Sequence, residues 1–125
     1  MDTAQARERL LVERRRLQEV REAAGNLSEG AKEAAERELS SADQHPAELA
    51  TETMERELDQ SVVLHAEAEI AEIEAAVRRL DEGTYGRCEE CGQPISDARL
   101  EAMPAARFCL EDQAKLARLR RNGAR

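Results

Sequence analysis

SSADQHP, Ser40 to Pro46, gathers turn formers midway through the first 83 of 125 residues, and its reading decides the fold. Pro46 suits the first position of a new helix, where no amide donor is needed. Upstream, residues 3 to 39 contain no proline and place Leu10, Leu17, Val20, Ala24, Leu27, Ala31 and Ala34 at steps of three, four and seven. That spacing is a heptad seam. Downstream, from Ala47 to about Glu82, the pattern resumes with Met54, Leu58 and Val62, then Val63, Ala66, Ile70, Ile73, Val77 and Leu80, and Gly83 stops it. The step from Val62 into Val63 is a stutter in the repeat. Two seamed arms of nearly equal length around one short turn predict an antiparallel helical hairpin, each arm reaching roughly 50 Å at about 1.5 Å per residue. A parallel dimer of long helices would bury the same seams. The turn near the midpoint favours the hairpin and a monomer. Gly25 and Gly30 interrupt the first seam, so AAGNLSEG, Ala23 to Gly30, is expected to be locally weak, with a kink or a break both open, each mid-helix Gly costing about 1 kcal/mol relative to Ala.

Composition agrees with a mainly α chain. Charged residues make up 37% of it, with one Phe, one Tyr and no Trp, which leaves little aromatic mass for a deep globular core. Glu and Arg on the arms read as solvated faces with i,i+4 pairs. A net charge of −8 repels nucleic acid as a whole. No run of 18 or more apolar residues is present, and the N-terminus MDTAQARERL lacks the apolar stretch of a signal peptide, so a cytoplasmic protein with no membrane contact is expected.

CEECGQPISDARLEAMPAARFCLED, Cys88 to Asp112, carries the chemistry. Cys-x-x-Cys-Gly forms a tight knuckle whose loop amides point toward a thiolate, and Gly92 permits the positive φ of that turn. A second knuckle, Phe108 to Asp112, follows at a spacing read as structural zinc when four cysteines are present. Here there are three. A carboxylate coordinates zinc at about 2.0–2.2 Å, so Cys88, Cys91, Cys109 and Asp112 can close a tetrahedron with a harder fourth donor. The competing reading is a finger that has lost its metal and is held by Ile95, Leu100, Met103 and Phe108. The donor set favours zinc. A redox role for Cys-x-x-Cys is disfavoured, because the βαβ context of a thioredoxin-like motif is missing. No Gly-rich phosphate loop, nucleophile elbow or paired catalytic carboxylates emerge, so no enzyme is expected. His45 reads as a turn residue before Pro46, and His65 as a partly buried helix residue.

EGTYGRCEECGQPISDARLEAMPAARFC, Glu82 to Cys109, resembles the zinc finger of the DksA/TraR family, through its Tyr-Gly-x-Cys lead-in, Ile95, the Arg99-Leu100-Glu101-Ala102 run and Pro104. ELSSADQHPAELATE, Glu38 to Glu52, is similar to the hairpin tip of one branch of that family. The resemblance implies a long helical hairpin, a zinc-ribbon-like finger and a C-terminal helix. It divides the chain into a hairpin over 1–83 with its tip near 40–50, a finger over 84–112 and a short basic helix or tail over 113–125. It implies a transcription regulator that binds RNA polymerase, inserts its hairpin into the secondary channel and acts there, in some members together with the alarmone ppGpp. The Asp-x-x-Asp-x-Ala tip of the best-known members falls on His45, Glu48 and Ala50, and Asp43, Glu48 and Glu52 keep the tip acidic. The finger and C-terminal helix would support docking.

Two other classes fit the residues less well. A coiled-coil and zinc-finger adaptor for another protein partner would need only the seams and the finger. A DNA-binding zinc-finger protein would use the tail QAKLARLRRNGAR, Gln113 to Arg125, but the tail is short and the remainder acidic, so stable direct DNA binding is not expected.

Overall fold

The computed structural model describes residues 2–39 and 46–123, with side chains described for 2–27, 29–30 and 54–123. Four helices follow one another: α1 (Thr3–Leu39), α2 (Pro46–Glu82), α3 (Asp97–Ala102) and α4 (Leu110–Gly123). The fold is mainly α, an antiparallel helical hairpin leading into a finger and a C-terminal helix. Asp2 caps α1, its carboxylate accepting from the Ala4 amide at 3.2 Å. The helix then runs through Gly25 and Gly30 without a break, in contrast to the break weighed from those glycines. Two glycines cost less than the unsatisfied backbone groups that an interruption would create. Pro46 opens α2, as its missing donor predicts. Gly83, at φ 80°, closes it. The Thr84 amide donates to the Arg79 carbonyl at 2.9 Å and the Gly83 amide to the Leu80 carbonyl at 3.4 Å. This paired closure is the Schellman arrangement and requires the left-handed residue that only Gly adopts without strain.

The described residues form two compact units, one of 1–13 with 71–125 and one of 14–70. In the first, the beginning of α1 meets the end of α2 through an Arg7–Asp81 ion pair of 2.5 Å, which sets the arms antiparallel there. Arg9 reaches the other way, donating to the Glu101 carbonyl at 2.6 Å and tying α1 to α3. Ala6, Leu10, Ile73 and Ala76 are buried in this unit. Among the described residues of the second unit, Leu17 and Ala24 on α1 and Ala66 and Ile70 on α2 are buried.

The seam read from the heptads holds only in part. Leu10, Leu17, Ala24, Ala66, Ile70 and Ile73 are buried, but Leu27, Met54 and Leu58 are each 64% exposed and Val62 is 42% exposed. A helix turns about 100° per residue, so each four-residue step overshoots a full turn by about 40°. Met54, Leu58, Val62 and Ala66 are four apart. Counting back from buried Ala66, Val62 has rotated by about 40°, Leu58 by about 80° and Met54 by about 120°. His65, expected to be partly buried, is exposed and pairs with Glu69 at 3.0 Å.

The tip residues Asp43 and His45 lie outside the described residues, as does the turn segment 40–45. Glu48 and Ala50 fall within α2, with their side chains outside the description.

Candidate metal centre

The finger begins where α2 ends. Gly86, at φ 83°, accepts the Ile95 amide at 2.7 Å, and Arg87 pairs with Pro94 as an isolated antiparallel bridge. Between them the chain folds back tightly: the Cys88 amide donates to the Gln93 carbonyl at 2.9 Å and the Gly92 amide to the Cys88 carbonyl at 3.0 Å. Gly92 has φ 74°, the positive angle expected of it. Ser96 caps the short α3, its hydroxyl accepting from the Arg99 amide at 3.2 Å. Arg99 in turn donates from Nε to the Phe108 carbonyl at 2.9 Å, which holds the residue before Cys109.

Cys88, Ile95, Leu100 and Ala106 form the buried cluster, with Tyr85, Phe108 and Cys109 packed on it. Met103, placed in this cluster from the sequence, is exposed, and Ala106 takes its place. Met103 sits at the C-terminal cap of α3, with its side chain directed out of the cluster while its amide closes on the Arg99 carbonyl. Tyr85 donates its hydroxyl to the Pro104 carbonyl at 2.8 Å, satisfying the one polar atom of a half-buried ring.

The four residues picked out by spacing converge. One ligand atom from each of Cys88, Cys91, Cys109 and Asp112 lies within 4.8 Å of the others. Asp112 Oδ2 is 3.1 Å from both Cys88 Sγ and Cys109 Sγ, and Cys91 Sγ is 4.0 Å from Cys109 Sγ. Asp112 sits in the first turn of α4, buried to 7% exposure, with Oδ1 4.0 Å from Lys115 Nζ. Its carboxylate is aimed at sulfur, not merely resting at a helix start.

Zinc bonds of about 2.3 Å to sulfur and about 2.0–2.2 Å to oxygen put tetrahedral ligand atoms roughly 3.6–3.8 Å apart. The observed separations, from 3.1 Å up to 4.8 Å, bracket that range, so the donor set fits a small tetrahedral divalent cation with side-chain adjustments of about half to one ångström. The protein's own groups favour the anion at Cys88 and Asp112 and the neutral thiol at Cys91 and Cys109. Burial raises the Cys88 thiol, but the amides of Cys91, Cys109 and Glu90 outweigh it and leave that thiol below its ordinary value. The Gln93 amide lowers Cys91, yet the Asp112 carboxylate, desolvation and the neighbouring sulfurs prevail and push it up to about 12. Cys109 is lowered by the Asp112 amide and raised further by the Asp112 carboxylate, desolvation and Cys88, ending above the ordinary value. Thiols of Cys88, Cys109 and Cys91 donating to Asp112 hold its carboxyl below the usual carboxylate range.

A depressed folded pKa makes the Asp112 charge a source of stability above the ordinary carboxylate value of about 3.9. That contribution is lost as pH falls through the lower folded value. In metal-free protein, Tyr85 fluorescence is therefore expected to report finger loosening below pH about 4, and Asp112→Asn to remove this acid step. An unchanged acid profile in the variant would contradict the role given to the carboxylate.

A helical hairpin followed by a finger with three thiols and a carboxylate defines a class of hairpin and zinc-finger protein, and comparison with known proteins agrees. Residues 83–118 match the family described as prokaryotic dksA/traR C4-type zinc finger. Over these residues the chain carries a finger of the DksA/TraR type, with Asp112 where the fourth ligand of a C4 site would stand. It is 45% identical over 69 residues to the uncharacterized protein YteA of Bacillus subtilis (strain 168), a match covering 55% of this chain and 29% of that protein. It is 50% identical over 46 residues to the RNA polymerase-binding transcription factor DksA of Caulobacter vibrioides (strain NA1000 / CB15N), covering 37% of this chain and 32% of that one. General stress protein 16O of Bacillus subtilis (strain 168) is 34% identical over 102 residues, or 82% of this chain and 56% of that protein. The matches thus span between about a third and just over half of these relatives' length. The solved structure of transcription factor DksA2 from Pseudomonas aeruginosa superposes with a TM-score of 0.76 at 25% identity, covering 95% of this chain and 85% of that one.

Spacing alone located the four converging residues. It missed Arg79, which is buried at the end of α2 and turned toward the finger. In the sequence Arg79 is one arginine of an Arg-Arg pair, and nothing local separates it from a solvated neighbour.

Proposed function

We propose that this protein is a non-enzymatic transcription regulator that binds RNA polymerase, with its hairpin entering the secondary channel tip first. The observation that carries this reading is the joint occurrence of hairpin and finger, matching a transcription factor of known structure over 95% of the chain. Asp43, His45, Glu48 and Ala50 form the leading end. Their acidic field suits a channel that holds basic side chains and a catalytic magnesium ion. The finger and α4 anchor the chain on the polymerase, and ppGpp acts at the shared interface. No helix among the described residues is long and apolar enough to cross a membrane, which fits a partner in the cytoplasm.

In this reading Cys88, Cys91, Cys109 and Asp112 hold one zinc ion, which cross-links the two knuckles. Asp112→Cys is expected to tighten zinc binding at least about tenfold in competition with a chromophoric chelator, since a fourth thiolate suits the thiolate-rich site better than an oxygen. Equal or weaker binding by the variant would show that Asp112 is not a ligand.

The test of function is site-specific crosslinking from position 45 to core RNA polymerase, preceded by a pull-down. Crosslinks to residues lining the secondary channel are expected. Crosslinks confined to the polymerase exterior would overturn the channel mechanism, and failure to capture polymerase at all would overturn the regulator reading. Because approach and docking use different residues, Asp43→Asn with Glu48→Gln should alter transcription in vitro more than it alters affinity.

A further inference from the structure

Arg79 lies on the last turn of α2 and is 9% exposed. A buried guanidinium without partners is expensive, and its pairing therefore decides where the helix end can sit. Those partners come from the finger. Nη1 lies 3.6 Å from the Glu89 carboxylate, and Nη2 donates to the Ala105 carbonyl at 3.3 Å. Glu89 stands between Cys88 and Cys91, within the first ligand knuckle, and Ala105 precedes Cys109 by four residues. The two knuckles are themselves joined, the Glu89 amide donating to the Arg107 carbonyl at 2.9 Å. Arg107 returns to α2 one heptad earlier, with Nε 2.7 Å from Glu72 Oε2, and its Nη1 is 4.0 Å from Glu89. Glu72 and Arg79 thus share a face of α2 and both address the finger.

The pairs made by Arg107 are more than a third exposed at each end and contribute little by themselves. Arg79 differs because it cannot exchange its partners for water without moving. We propose that Arg79 is a positioning residue through which the state of the finger's metal site sets the order of the end of α2. The inference rests on the reading of Cys88, Cys91, Cys109 and Asp112 as a zinc site. When zinc holds the knuckles together, Glu89 and Ala105 stay at the spacing that satisfies the guanidinium. When the knuckles part, Arg79 loses both, and the last turns of α2 loosen until it reaches water. The finger thereby acts on the base of the hairpin as a metal-dependent latch.

Backbone hydrogen exchange of the full chain, zinc-loaded and after chelation at one pH, tests the latch. In the wild type, chelation should speed exchange in 84–112 and also in 72–82, the latter by roughly tenfold or more. Glu89→Gln takes the facing carboxylate from Arg79 and leaves it the Ala105 carbonyl, so its 72–82 segment should exchange faster than the wild type's with zinc bound. Arg79→Met removes the charge that needs partners, and its α2 segment should stay protected and respond less than about threefold to chelation, with zinc content unchanged. An effect of chelation confined to 84–112 would overturn the proposal, as would an Arg79→Met segment that still responds like the wild type. Metal analysis beforehand separates the two levels: a wild-type chain that takes up no zinc removes the metal reading and the latch together, whereas bound zinc with an unresponsive α2 removes the latch alone.

Discussion

Ile70→Asp is expected to lower stability by about 3–5 kcal/mol, because it places a carboxylate without a partner at a position 5% exposed. Domains of this size are stable by only about 5–15 kcal/mol, so a large fraction of the folded state's margin disappears. The measurement is urea unfolding followed by far-ultraviolet circular dichroism. Val62→Asp is the informative control. The heptad pattern places Val62 in the same seam, but the residue is 42% exposed, and its substitution should cost less than about 1 kcal/mol. Equal losses in the two variants would restore the continuous seam, and a small loss for Ile70→Asp would mean that the arms do not bury each other at this level.

Cys88→Ser is expected to have the second large effect, taking zinc from close to one per chain to none. Structural zinc in finger peptides is worth about 10–16 kcal/mol in apparent binding, so a finger that loses it loses most of its stability. Cys88 is both a proposed ligand and a member of the buried cluster with Ile95, Leu100 and Ala106. Its replacement should therefore change the fluorescence of Tyr85, the only tyrosine in a chain without tryptophan and a neighbour of that cluster. Cys91→Ser, at an exposed position, should release zinc with a smaller change in the tyrosine signal. Zinc retained at full stoichiometry in Cys88→Ser would defeat the assignment of this ligand. Uptake of zinc at neutral pH should also release protons, since Cys91 is pushed up to about 12 and Cys109 is raised in the metal-free chain. Affinity must then fall as pH falls, and isothermal titration in buffers of different ionisation enthalpy reads the proton count directly.

The elements of this protein are written locally. Pro46 starts α2 and Gly83 ends it for reasons that reside in those residues: a missing amide donor and access to positive φ. The knuckle at Cys88 to Gly92 likewise needs nothing outside itself, and the spacing to Cys109 and Asp112 sufficed to pick out four residues that do converge. Even the departure from four cysteines was readable, because Asp112 stands three residues after Cys109, where a fourth thiol would fall, and a carboxylate can take that place on zinc.

Burial was not readable to the same degree. Met54, Leu58 and Val62 look like seam residues in one dimension, yet their four-residue steps accumulate rotation, and only the facing arm determines when a stripe has turned out of reach. Met103 gives way to Ala106 in the finger because the turn after α3 decides which side chain points inward. Arg79 makes the same point for charge. Adjacent Arg78 is exposed and Arg79 buried, and the difference lies in Glu89 and Ala105, ten and twenty-six residues away. The sequence by itself determined where α2 begins and ends and which donors can meet a metal, since caps, turns and ligand spacing act over a few residues, while α3 was not read and α4 starts at Leu110, ahead of the 113 expected. Tertiary structure alone decided which apolar residues are covered and which arginine is held, since those outcomes depend on groups that approach only once the chain has folded back on itself.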